Sequence, residues 1–424
     1  MALALCLASL WLPASVNQPR LPDPPPNRLG VHMLLSEGQS PFPPRVWREH
    51  TIEAAEAIGP GGYVVQVLSE GNRDLRYWQS FMAGARDAGL HPIIRLATRY
   101  DRQFGWWRSP LPDRTRFSYH NYASHLAEFL HWLRWPPGPR IVVVGNEPNR
   151  GDEWMNRPDP AAYARYLRDV ADRLRPLGYT VLNAPLDEYC PNTNGGKIDG
   201  TRYVDAETFM DGMRAAVPDV FEHIDGWASH AYPQGPFSKP PDEQTFKIDL
   251  INGATNPTHL DPPDGVVNRG VNGYEFELAK LAQYGVPPLP VWITETGWRH
   301  AESSQPSGND AEGARLSDDA VADLMRLALA GPPDGSPARG YTPWLRDPRV
   351  RAVVFFGFDG DARKWGHSSW LDVDPKGAIT TRYAPFTALR GLPLLRELDH
   401  APGLPASGTT GDDGARAASG RPSA

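Results

Sequence analysis

The sequence predicts an α/β protein, a single (β/α)8 barrel of the TIM type with long loops after its strands. Three observations carry that prediction. Short apolar runs alternate with segments of helical period, the pattern of a parallel sheet wrapped by helices. Eight such runs can be found, and 424 residues leave room for one barrel with extended loops. With 40% hydrophobic and 22% charged residues, the chain also has ample material for a core.

In order, the first apolar run is 29–33, followed by a helix over 46–58. The second is 63–68, and its helix, 75–88, places Leu75, Trp78, Met82 and Ala85 on one face before Gly89 ends it. The third run, 92–97, precedes a helix that carries Tyr122, Leu126, Phe129, Leu130 and Leu133. The fourth, 141–144, leads into GNEPN, and the next helix shows Tyr163, Tyr166, Leu167, Val170 and Leu174 on one face and stops near Gly178. Runs at 180–183, 226–230, 289–294 and 352–358, with helices over 207–216, 274–284 and 318–329, complete the count.

One catalytic barrel over 29–395 accounts for this order. It is preceded by an apolar segment and Pro-rich linker, 1–28, and followed by a small, polar tail, 396–424, expected to be disordered. The apolar start MALALCLASLWLPAS lacks the basic residues that usually precede a signal sequence. Export to the cell envelope or medium is the expectation, from a signal or anchor that begins upstream; a misassigned start codon or a short buried segment, in a cytoplasmic protein, is the alternative. No other stretch is long and apolar enough to span a bilayer.

Composition narrows the partners. A formal charge of -7 offers no basic field for phosphates, so nucleic acid is not an expected partner and a neutral substrate fits better. Only Cys6 and Cys190 occur, which gives no disulfide framework and no Cys-rich metal site. No cofactor is implied, and the oligomeric state is not readable. The 45 Pro, 14 Trp, 15 Tyr and 14 Phe suggest elaborate loops with flat aromatic surfaces, on which sugar rings stack well, although aromatics also dominate cores. Three loops after strands are long: 100–119 with its Trp106-Trp107 pair, 233–272 and 299–316.

Two glutamates stand out. Glu147 in IVVVGNEPNR and Glu295 in PVWITETGW each follow a β-branched apolar run, a costly place for a charge unless it faces a cleft. A lone glutamate there is usually a solvated loop residue. Two of them, three strands apart in an eight-strand pattern, put a carboxylate pair at the end of the barrel where active sites of this fold lie. Cleavage of a glycosidic bond with retention requires such a pair, one to protonate the leaving oxygen and one to attack the anomeric carbon.

Asn146-Glu147-Pro148 and Glu295-Thr296-Gly297-Trp298 resemble the fourth-strand and seventh-strand signatures of clan A glycoside hydrolases. The resemblance covers the barrel in layout and is specific in these short motifs. The first motif is similar to xylosidase and cellulase families of the clan, the second to its β-1,3-glucanase branch, so the family within the clan stays open.

The resemblance implies a retaining glycosidase acting on a β-linked oligosaccharide or polysaccharide, with Glu147 as acid/base and Glu295 as nucleophile. It further implies that the Asn146 amide bonds the sugar 2-hydroxyl. His230 and Tyr232 in SHAYP match the clan's His-x-Tyr pattern, in which the tyrosine hydroxyl bonds the nucleophile and helps keep it ionised; a packed strand-end aromatic is the plainer alternative. Arg95 and His32, at the ends of the third and first strands, either support the site or make structural contacts. Trp106, Trp107 and Trp298 are further expected sugar contacts.

The eighth strand departs from the clan, many members of which place a Trp there as the floor of the subsite. This chain has VVFFGFDGDARKW, so Phe358 or Phe356 takes that place, or Trp365 or Trp370 folds in from the loop. That departure keeps a second class open, a catalytically degenerate barrel that only binds carbohydrate. A metal-dependent hydrolase is disfavoured, because His32, His230 and Asp359 are too scattered to form a ligand set.

Overall fold

The computed structural model describes residues 21–36, 41–114, 117–244, 270–300, 316–360, 368–390 and 392. Residues 1–20 of the expected N-terminal segment and linker, the whole expected tail 396–424, Trp365 and most of the loops 233–272 and 299–316 lie outside them.

Eight parallel strands form one sheet: β1 (Leu29–His32), β2 (Tyr63–Leu68), β3 (His91–Leu96), β4 (Ile141–Val144), β5 (Thr180–Asn183), β6 (Trp227–His230), β7 (Val291–Thr296) and β8 (Val350–Phe356). The hydrogen-bonded order is β5-β4-β3-β2-β1-β8-β7-β6, so the sheet curls until β6 returns to β5. That last seam carries a single backbone bridge, Leu182 with Gly226. The Asp225 N–H also donates to the Val181 carbonyl at 2.9 Å, and side chains add the rest. The Asn183 amide accepts from the Ala228 N–H at 2.7 Å and donates to the Ala228 carbonyl at 3.0 Å, and Asp225 accepts from the Val181 N–H at 2.9 Å. An amide side chain carries the same donor and acceptor as a peptide group, and here it substitutes for a missing rung.

Helices return the chain outside the sheet: α1 (Pro44–Ile58), α2 (Leu75–Ala88), α3 (His120–Trp132), α4 (Pro160–Leu174), α5 (Ala206–Ala216), α6 (Gly273–Gln283), α7 (Asp318–Ala330) and α8 (Ala384–Ala388). Their starts are chemically marked. Asp74, Asp159, Asp205 and Ser317 each accept a backbone N–H of the first turn of α2, α4, α5 and α7. Gly89, in the left-handed region at φ 68°, ends α2.

Strand side chains divide by the period of two. Val31, Val64, Ile94, Val142, Val181, Ile293 and Val353 pack outward against helix residues such as Trp47, Phe81, Leu126 and Leu167. Tyr63, Val65, Ile93, Ile141, Val143, Leu182, Ala228, Trp292, Ala352 and Val354 point inward and fill the barrel. Gly30 belongs to the inner set, since a Cβ there would stand 2.9 Å from Val354 Cγ2 and 3.1 Å from Tyr63 Cβ.

The expected strands fall where the structure has them, with β1, β3 and β6 differing by one residue and β7 and β8 by two. β7 extends through Thr296, so Glu295 lies inside the strand and not after it. β8 ends at Phe356, two residues before the expected limit, and Phe358 follows in the loop.

Candidate active site

The inner positions at the C-terminal ends of the strands make a polar layer above the apolar filling. Two residues on from Gly30, Ile93, Ala228 and Val354 come His32, Arg95, His230 and Phe356. Glu295 joins them only through an irregularity. Counting by twos from inward Trp292 reaches Thr294 and Thr296, which would turn Glu295 outward. The pairing of β7 slips by one residue, from Ser229 with Ile293 to His230 with Glu295. The same slip occurs against β8, from Val353 with Ile293 to Phe355 with Thr296. An extra residue re-aims the following side chain, and here it brings Glu295 into the barrel.

Glu147 arrives from the turn after β4. Gly145 stands at φ 108° and Glu147 itself at φ 32°, a left-handed backbone that costs a side-chain-bearing residue about 1 kcal/mol or more. The Glu147 N–H donates to the Pro185 carbonyl at 2.9 Å, and the Arg150 N–H donates to the Glu147 carbonyl at 2.9 Å, so the turn is held from both sides.

Glu295 is surrounded by donors. Nη1 of Arg95 donates to Oε1 in a close ion pair, and the Tyr232 hydroxyl donates to Oε2 at 3.0 Å. His32 Nε2 is 3.8 Å from Oε1, and His230 Nδ1 is 3.8 Å from Oε2. Burial by itself pushes this carboxyl up, but the charge and hydrogen bond of Arg95 outweigh it, and the pKa comes down to about 2. Burial and the neighbouring Arg95 hold His32 neutral, with a pKa lowered to about 3. Neither ring nitrogen of His32 has a hydrogen-bond partner among the described residues.

Glu147 is set in a different field. Its Oε1 lies 2.7 Å from His230 Nδ1, and its Oε2 accepts from Arg150 Nη1 at 3.3 Å. That same nitrogen donates to Asp187 Oδ2 at 3.3 Å, while the other side of the guanidinium grips Asp152 at 3.0 and 2.8 Å. Burial raises the Asp187 carboxyl, Glu147 raises it further, and Arg150 opposes both. Glu153 is also held well above the usual range by loss of solvent and by the charges of Asp152 and Glu147. Asn146 uses its side-chain oxygen to accept from Arg95 Nη1 at 2.9 Å.

The structure thus gathers Glu147, Glu295, Asn146, His230, Tyr232, Arg95 and His32 around one point. Two expected sugar contacts are elsewhere. Phe358 is fully buried, with its ring 6.1 Å from those of Trp370 and Phe386, because β8 ends before it. Phe356 is the eighth-strand side chain at the cleft, partly exposed and 5.2 Å from the His32 ring. Trp298 is also buried: its indole donates to the Lys239 carbonyl at 2.9 Å and its ring meets Trp344, so it anchors the loop after β6. Trp370 is likewise a core residue.

Trp106 and Trp107 form a short ribbon with Tyr100–Asp101, half-buried at the rim. Trp107 is tied by its backbone to Asp152 and Met155, both at 2.7 Å, and Trp106 stacks on exposed Phe104 at 4.9 Å. Arg150, Asp187 and Glu153 went unread in the sequence. The position of Arg150, three residues after Glu147 in a turn, was the available signal. Asp359 lies apart from the cleft, paired with His50. Among the described residues no three His, Cys, Asp or Glu side chains are grouped to hold a metal, and no helix is long and apolar enough to cross a membrane.

No known family profile matches the chain, and no curated protein matches it. Solved structures similar to it include an endo-β-1,3-glucanase of glycoside hydrolase family 128 from Sorangium cellulosum, at 14% identity over 88% of this chain and 100% of that one, with a TM-score of 0.45. An endo-β-1,4-glucanase from Xanthomonas axonopodis pv. citri shows 12% identity over 86% and 99%, with a TM-score of 0.44. A family 17 β-1,3-glucanosyltransferase from Rhizomucor miehei shows 13% identity over 83% and 94%, with a TM-score of 0.43. These likenesses lie in the layout of the chain.

Proposed function

We propose that the chain is a retaining glycoside hydrolase that cleaves O-glycosidic bonds of a β-linked oligosaccharide or polysaccharide by double displacement. The observation that carries this reading is the unlike setting of two carboxylates that share His230. Its Nδ1 keeps Glu147 Oε1 and Glu295 Oε2 within roughly 6.5 Å of each other, the short limit of the ~6.5–9.5 Å that admits an inverting water and close to the ~5–5.5 Å of a retaining pair.

Glu295, ionised by Arg95 and Tyr232, is the nucleophile. It forms the bond to the anomeric carbon as the glycosidic bond breaks, and Glu147 delivers its proton to the departing oxygen. In the second half Glu147 takes a proton from water, the water oxygen bonds to the anomeric carbon, and Glu295 leaves as a carboxylate. Asn146, with its oxygen engaged by Arg95, has its NH2 to offer the sugar 2-hydroxyl. Phe356 serves as the floor, and the Trp106 ribbon is an outer contact for the glycan. Export of the chain belongs to the same proposal, as a polymeric glycan would be met outside the cell.

Glu295→Ala is expected to abolish turnover of aryl β-glycosides, and azide is expected to restore activity to Glu147→Ala by forming a glycosyl azide. Normal turnover by Glu295→Ala would overturn the assignment. The second reading, a barrel that binds glycan without cleaving it, draws on the missing eighth-strand Trp. It would be favoured by saturable oligosaccharide binding with no reducing ends released.

A further inference from the structure

We propose that Glu147 and Asp187 act as one titrating unit across Nη1 of Arg150, with Asp187 a positioning residue that keeps a proton available at Glu147 when the leaving group departs. The proposal rests on the reading of Glu147 as acid/base. Its basis is geometric: one guanidinium nitrogen lies 3.3 Å from an oxygen of each carboxylate, and the rest of the guanidinium is committed to Asp152. A single cation therefore faces three carboxylates, of which Asp187 is buried and Glu147 nearly so. Taking up one proton relieves the repulsion between the two that share Nη1, and two carboxyl groups so coupled lose their protons in steps that belong to the pair.

The need for such a device follows from the other contacts of Glu147. An acid catalyst beside a guanidinium is pulled toward its ionised form, which is the wrong state for the first half of the reaction. Asp187 opposes that pull with a negative charge on the same nitrogen. The groups facing Glu147 come from every side: His230 of β6, Tyr232 just beyond it, Glu295 of β7, Arg150, Asp152 and Glu153 of its own loop, and Asp187 and Cys190 after β5. Of these, Arg150 and His230 touch it, and Asp187 accepts from the same nitrogen of Arg150 that it does. The raised proton affinity of Asp187 is in keeping with this role.

Asp187 can be neutralised with its main chain kept in place. Its main chain is held in both directions by the Asn149 amide, at 2.9 and 3.0 Å, and its Oδ1 accepts from the Tyr189 N–H at 2.8 Å, a bond that asparagine keeps. The test is the pH dependence of kcat/KM for the full chain and for D187N and R150Q, on phenyl and dinitrophenyl β-glycosides of a sugar the wild-type chain accepts. On the phenyl glycoside, whose poor leaving group needs the proton, D187N should move the basic limb down by about one pH unit, the usual effect of one neighbouring charge. R150Q should move it up. On the dinitrophenyl glycoside, which departs unprotonated, both limbs should stay where they are in wild type. A basic limb unmoved in D187N on the phenyl glycoside overturns the proposal, and if D187N does not fold, an unmoved limb in R150Q does so. Absence of turnover by the wild type on every aryl glycoside would instead strike the glycosidase reading itself.

Discussion

Tyr232 donates one hydrogen bond to the carboxylate that must stay ionised, so its removal has a definite sign. Tyr232→Phe should raise the proton affinity of Glu295, shift the acidic limb of kcat/KM upward and lower kcat/KM by about 10- to 100-fold, given roughly 1.5–3 kcal/mol for a bond to a charged group. A pH profile on one aryl glycoside checks both. At this scale the residues legible in the sequence were those at strand ends, because alternation and position together fix where a side chain of β1, β3 or β6 points. Arg150 and Asp187 sit in turns, where no periodicity announces direction, and Phe358 was misjudged because an inward place was assigned two residues beyond the strand.

Among the elements, α2 illustrates a boundary that chemistry fixes. A Cβ on Gly89 would lie 3.6 Å from Pro60 Cβ, an ordinary contact, so Gly89→Ala is opposed by the left-handed backbone alone. It should cost about 1 kcal/mol, read as a lower urea midpoint at unchanged slope, with activity retained. The Trp106 ribbon carries a different expectation: Trp106→Ala should raise KM for a long glycan and leave an aryl glycoside unaffected. The runs at β2, β4 and β5 were legible to the residue. The slip in β7 was not, because a parallel register is set by neighbouring strands and leaves no mark in one sequence. Its consequence is a parity rule: the inward Trp292 and the inward Glu295 are separated by an odd number of positions, and deleting Thr294, the extra residue, should regularise the strand and leave Glu295 inward, seen as native circular dichroism with turnover retained.

For the whole molecule, pH enters stability at the His50–Asp359 pair as well as at Glu295. The buried His50, 2.5 Å from Asp359 Oδ2, has its pKa raised, burial opposing but the hydrogen bond and charge of Asp359 prevailing. Asp359 also accepts from the Leu34 N–H, so this pair ties α1 to the loops after β1 and β8. Its contribution is complete below the ordinary histidine value of 6.5 and is lost as pH rises through the higher folded value. Glu295 works in the opposite sense, contributing above its ordinary 4.5 and ceasing to do so as pH falls toward 2. Urea melts of His50→Gln against wild type should converge at alkaline pH. The order of the eight strands was legible because alternating runs admit few topologies, whereas the closure of the ring by Asn183 and Asp225 was not, since both read as strand-edge polar residues. Asn183→Leu, which strands two buried backbone groups of Ala228, should cost about 1–3 kcal/mol for each.

That closure has a bearing on chemistry. Glu147 hangs from β4 and Glu295 from β7, and the short way round the ring between them passes through the β5–β6 junction, where the sheet is fastened by a clasp of side chains and not by a ladder. The spacing of the two carboxylates is therefore gauged at the most yielding point of the hoop. A loosened clasp would first be felt as a slower chemical step, at temperatures where the rest of the barrel still holds its shape.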